Sequence, residues 1–118
     1  MQYTGGKGFF GQQPTPTAKS ASATLTIAEL LTSIVTTSGT AAITLTLPTG
    51  TLSDAGVTAP ALPVNGCFEW AVINTGTSSG AVTLAAGTGH TIVGGAGVAI
   101  ATSAGFRTGK TAANTFVT

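Results

Sequence analysis

The sequence predicts an all-β protein, a small β-sandwich, jelly-roll-like or barrel domain with one or two short helical turns and an extended N-terminal arm. Three features predict it. Short segments alternate apolar residues with threonine at period two, and Gly-rich turns separate them at spacings of about ten residues. The few helix-like stretches are cut short by Gly, Pro or β-branched residues. A chain of 118 residues has room for one domain, and at this size folding buries roughly two-thirds of the unfolded surface. The residues are 42% hydrophobic and only 6% charged, with a mean hydropathy of +0.44. Apolar content that high with so little charge argues against disorder for most of the chain.

Residues 1–23 read as an extended arm and residues 24–118 as the β-rich domain. The arm contains Gly5, Gly6, Gly8, Gly11, Pro14 and Pro16 and shows no sustained helix or strand period. It also holds Tyr3, Phe9 and Phe10, three of the seven aromatic residues. Each such ring contributes about 1.5–3 kcal/mol on burial, so the arm is expected to dock on its own body, a neighbouring subunit or another protein. Fully extended, it reaches about 75 Å.

Beyond the arm, Thr26-Ile27-Ala28-Glu29 fits a capping box, with Leu30, Leu31 and Ile34 forming a brief helical face that ends at 35–39. A second helical turn is expected over 52–56, before Pro60, Pro63 and Gly66. Strands are expected over 42–47, 67–74, 81–85, 90–93, 97–102, 105–108 and 115–118. Within 67–74, Phe68, Trp70 and Val72 share one face and Glu69 takes the other.

The chemistry-bearing residues form no site. Gly76-Thr77-Ser78-Ser79-Gly80 matches the nucleophile-elbow string, but a strand rather than a helix follows it, and Glu29, Asp54 and Glu69 all lie upstream. It reads as a hairpin loop. Gly109-Lys110-Thr111 lacks the earlier glycine of a phosphate loop, with Ala104 in its place and no helix after it. His90, the single histidine, reads as a turn or surface residue, and Cys67, the single cysteine, as a small buried group in a strand. No metal-ligand spacing occurs, so neither a metal nor a cofactor is expected, and the chain is not expected to be an enzyme. A net charge of +1 is too small for a nucleic-acid footprint. The apolar runs are far shorter than the ~20 residues of a membrane helix. No secretory leader is expected from the first residues. A surface so poor in charge suits life inside a larger assembly.

The domain resembles the head decoration, or cement, proteins of bacteriophage capsids. The residues that carry the resemblance are Leu25-Thr26-Ile27-Ala28-Glu29-Leu30-Leu31, Leu45-Thr46-Leu47-Pro48-Thr49, Phe68–Gly76 and Ala81–Gly89, with Phe106-Arg107 and Asn114-Thr115-Phe116 near the end. The strings span most of 24–118 and leave the arm outside. The resemblance implies a structural virion protein on the outer capsid surface, homo-oligomeric and often trimeric, that stabilises the shell by bridging major capsid protein subunits. Tyr3, Phe9 and Phe10 would then be contacts to capsid or to a neighbouring subunit. The rival expectations are a head- or tail-fibre module that binds a host-surface glycan, for which an exposed Trp70 would be the natural platform, and a cell-surface or pilus-like β module.

Overall fold

Successive strands alternate between two sheets, and that alternation sets the architecture. The computed structural model describes residues 14–58 and 61–118. Strands β1 (Thr17–Lys19), β3 (Ile34–Thr37) and β5 (Cys67–Asn74) lie parallel in one sheet. Strands β2 (Ala23–Thr24), β4 (Ile43–Thr46) and β6 (Val82–Ala85) lie parallel in the other. Parallel neighbours cannot be joined by a tight hairpin. Here the crossover is a strand of the opposite sheet, so each pair of strands makes one turn of a coil.

The coil ends after β6. Strand β7 (His90–Thr91) forms the far edge of the first sheet, and β8 (Gly97–Val98) pairs antiparallel with β6. The long β9 (Thr102–Ala112) runs antiparallel to β5 over the full length of β5, and β10 (Thr115–Val117) fits between β9 and β7. The sheet orders are β1-β3-β5-β9-β10-β7 and β2-β4-β6-β8. The molecule is mostly β with two mixed sheets.

Stacked turns place like residues in register. Val35 lies beside Val72, Ile43 beside Val82 and Leu45 beside Leu84, and all six are buried. With Leu25, Leu30, Leu47, Trp70 and Val98 they make one core drawn from both sheets. The stacking exposes an internal repeat: Gly39-Thr40-Ala41-Ala42-Ile43-Thr44-Leu45 matches Gly76 through Leu84, with two extra residues in the second copy. Those two residues sit in the loop between β5 and β6, where length costs little in pairing.

Two short helices, in contact with each other, lie in the links between β2 and β3 and between β4 and β5. Helix α1 (Ile27–Leu30) has the expected capping box: the Thr26 amide donates to Glu29 Oε1 at 2.9 Å, and the Glu29 amide to Thr26 Oγ1 at 3.2 Å. Helix α2 (Gly50–Gly56) is capped by the Thr49 hydroxyl, which accepts from the Leu52 amide.

Several expectations change. Residues 35–37 are strand, not a helix end, because Val35 and Thr37 point inward beside Val72 and Asn74, and Leu31 is exposed. Strands β1 and β2 lie within or across the end of the stretch read as irregular arm; their pairing comes from β3 and β4, distant in sequence. Strands β7 and β8 are shorter than expected and β9 is longer. Cys67 is exposed, since it shares the outward parity of Glu69, and His90 is buried. Residues 76–80 join one sheet to the other instead of closing a hairpin.

Candidate functional site

Tyr3, Phe9 and Phe10 lie outside the described residues, so the surface and interior of the body are what the structure offers. Every charged side chain among the described residues has an opposite partner. Lys19 pairs with Glu29 at 2.6 Å, Lys110 with Asp54 at 2.7 Å, and Arg107 with Glu69 across β9 and β5. The one other charged residue, Lys7, lies outside the described residues. Burial pushes the Glu29 carboxyl upward, but the bonds from Lys19 and the Thr26 amide outweigh it and hold the group below the usual carboxylate range. Asp54 is also held low, chiefly by Lys110 and then by the Asn114 amide, which donates to Oδ2 at 2.9 Å.

The alternation in β5 divides its residues as expected. Phe68, Trp70, Val72 and Asn74 face the core, while Glu69 and Ile73 face outward with Cys67. Trp70 is 3% exposed and packs on Phe106 with ring centroids 5.0 Å apart. Over this stretch an open groove of about 630 Å³ is lined by Ser33, Ala71, Gly105, the Glu69–Arg107 pair and the edges of Trp70 and Phe106. Small residues on neighbouring strands leave the space, and the ion pair runs along it. Both charges are already satisfied, so the groove presents a neutral surface.

The interior holds a chain of hydrogen bonds that crosses the first sheet. The Trp70 indole Nε1–H donates to Thr108 Oγ1 at 2.9 Å, Thr108 and Thr118 share a hydroxyl bond of 2.7 Å, and Thr118 Oγ1 lies 2.6 Å from His90 Nε2. His90 Nδ1 lies 3.2 Å from the Pro48 carbonyl. A carbonyl only accepts, which assigns the proton to Nδ1 and leaves Nε2 to accept. The donors therefore run one way, from Trp70 through Thr108 and Thr118 to His90 and on to Pro48. Desolvation lowers the His90 pKa, and the bond to Pro48 opposes it only in part. Sequence reasoning missed this chain. Parity was the available signal, because Thr108 and Phe106 share one face of β9 and Phe106 is paired with Trp70.

The residues that matched catalytic strings are not brought together. Both His90 nitrogens are engaged by Pro48 and Thr118, Ser79 Oγ donates to the Thr40 carbonyl, and each acid faces its own cation. Lys110 is held by Asp54 and the Leu62 carbonyl. No group of three or more His, Cys, Asp or Glu that could hold a metal occurs among the described residues. Among those residues, no helix is long and apolar enough to cross a membrane. Asn74 has a structural role. Its Nδ2 donates to the Gly80 and Val98 carbonyls and its Oδ1 accepts the Gly76 amide, which ties the sheet-to-sheet loop to β8. Compared with known proteins, the chain matches no family model, no curated protein and no solved structure.

Proposed function

We propose that this chain is a structural virion protein that binds the outer surface of a bacteriophage capsid and stabilises it by bridging major capsid protein subunits. In this reading it is a non-enzymatic cement protein, a small β-sandwich that acts as a homo-oligomer, with a trimer favoured by the family resemblance. The observation that carries the reading is the neutral body, in which every described charge is paired, the outward Glu69 and Arg107 beside the groove with each other. A surface of this kind gives no electrostatic handle for nucleic acid. It suits close packing against a large, regular partner, where area rather than charge supplies retention. Trp70 is buried and offers no aromatic platform, which weighs against the glycan-binding fibre module.

Tyr3, Phe9 and Phe10 would be the anchors, set in pockets on capsid or a neighbouring subunit. Several arms per oligomer would turn weak contacts into firm retention through effective concentration. The test is the native mass of the full chain, followed by co-sedimentation with capsids that lack it. An oligomer that saturates at a fixed number of capsid positions supports the reading. A full-length variant with Tyr3→Ala, Phe9→Ala and Phe10→Ala should keep its melting temperature and lose occupancy. A monomer that ignores capsids but binds cells or glycans would overturn the proposal.

A further inference from the structure

His90 is the only titratable group in the one-way hydrogen-bond chain, and it occupies the place where direction matters. It lies on the edge strand β7 and pairs with Phe116 of β10, its ring 6.1 Å from the Phe116 ring. Strand β10 and the residue after it are held by main-chain bonds on both sides: Phe116 N to Gly89 O, Thr118 N to Thr91 O and Val93 N to Thr118 O toward β7, and the short ladder to β9. The side-chain bond from Thr118 to His90 adds to these bonds and to the burial of Phe116 in fastening this edge.

The charged groups on the surrounding elements are already committed. Lys110 of β9 flanks Phe116 on the side away from His90 and is paired with Asp54 of α2. Glu69 of β5 points outward to Arg107. The Pro48 loop contributes only its carbonyl, and a main-chain oxygen of Thr118 accepts the Val93 amide. No carboxylate side chain among the described residues is bonded to His90 to balance a charge on it.

We propose that His90 is an acid-operated latch on β10, in which a proton on Nε2 removes the acceptor at the end of the hydroxyl chain and loosens the β7–β10 edge. A protonated imidazole donates from both nitrogens. Thr118 Oγ1 must then accept from Nε2, and of the two hydroxyl hydrogens, its own and that of Thr108, only one can still lie in the bond between them. Thr108 already accepts from Trp70, so one hydrogen of the pair is left without the acceptor that Nε2 supplied. The balance is one proton taken from solvent onto Nε2, with no covalent bond formed or broken elsewhere. The strain is relieved when Thr118 leaves, taking β10 with it. Solvent protons and the imidazole suffice, so the latch does not depend on the capsid reading.

The chain has one histidine and one tryptophan, so one imidazole and one indole N–H resonance report the two ends of the relay. In a pH titration of the full chain by NMR, the indole N–H shift should follow the imidazole titration with the same midpoint. Below that midpoint the Phe116 and Thr118 amides should exchange about tenfold faster or more, after correction for intrinsic rates, while β4 amides do not; tenfold corresponds to about 1.4 kcal/mol of opening. In Thr118→Val the indole should stay still while His90 titrates. In His90→Gln the β10 exchange should lose its acid dependence. An indole that does not move as His90 titrates would overturn the latch, as would an imidazole that stays neutral until the whole fold is lost.

Discussion

At the scale of single residues, buried donors and crowded glycines decide which substitutions matter. Thr108→Val removes the acceptor for the buried Trp70 indole and should cost about 1–3 kcal/mol, read as a lower urea midpoint. Trp70→Phe should show a different balance, because it removes the donor together with the group that needs one, at the cost of packing on Phe106. Glycines separate in the same way. Gly80 has φ +98°, and a Cβ there would run into the Gly39 carbonyl oxygen. Gly80→Ala should cost about 1–3 kcal/mol in backbone strain, before the clash with the preceding turn of the coil is counted. Gly105, on the outward face of β9, has open space where a Cβ would go. Gly105→Ala should be neutral or raise stability by about 0.5–1 kcal/mol, since glycine inside a strand is itself unfavourable. The same urea titration separates the two cases.

At the scale of elements, the helices depend on their ends. Helix α1 has a single turn, too short to persist on propensity alone. Thr26→Ala removes half of its capping box and should cost about 0.5–2 kcal/mol, with faster amide exchange at Glu29 and Leu30 as the local sign. Helix α2 is fastened to the β9–β10 hairpin by Asp54, which accepts from both Lys110 and the Asn114 amide. Asp54→Ala should speed exchange in α2 and at Asn114 while leaving β3 to β5 protected. The pH dependence has two steps, an acidic one shared by Asp54 and Glu29, both held low, and an upper one set by His90. The Asp54 carboxyl is held low, so its contribution is complete above the unfolded value near 3.8 and is lost as pH falls through the folded value. The His90 pKa is also lowered, but for a base this means the unfolded state takes the proton more readily. Stability is therefore highest above about 6.5 and falls below it until the folded group also titrates. A melting curve against pH should show the upper step in the native chain and lose it in His90→Gln.

At the scale of the whole molecule, the internal pairing of charge leads to a prediction about the proposed assembly. If capsid retention rests on neutral area and on the arm's aromatics, occupancy should change by less than about threefold between low and high salt, because screening weakens only exposed charge interactions. A steep loss with salt would place the binding energy on Lys7 or on an opened ion pair instead. The coil adds a second expectation. Its turns rest on one another through Val35–Val72 and Leu45–Leu84, so Leu45→Ala should lower stability by about 2–5 kcal/mol and destabilise both sheets together.

How much was legible in the sequence follows from the range of the forces concerned. The sequence by itself determined the β class, the face on which Trp70 lies, the capping box at Thr26 and Glu29, and the low charge of the surface, because each depends on residues within a few positions of one another. Only the tertiary structure decided that Ile34–Thr37 is a strand, that Thr17–Lys19 and Ala23–Thr24 join sheets, and that Cys67 is exposed while His90 is buried. These outcomes depend on partners far along the chain, such as Val35 for Thr17, 18 residues away, and Pro48 for His90, 42 residues away. A short β segment has little preference of its own until a neighbouring strand supplies its hydrogen bonds. The sheet-to-sheet coil was written in the repeat of Gly39–Leu45 and Gly76–Leu84, yet its meaning became visible only when the two copies lay side by side in register.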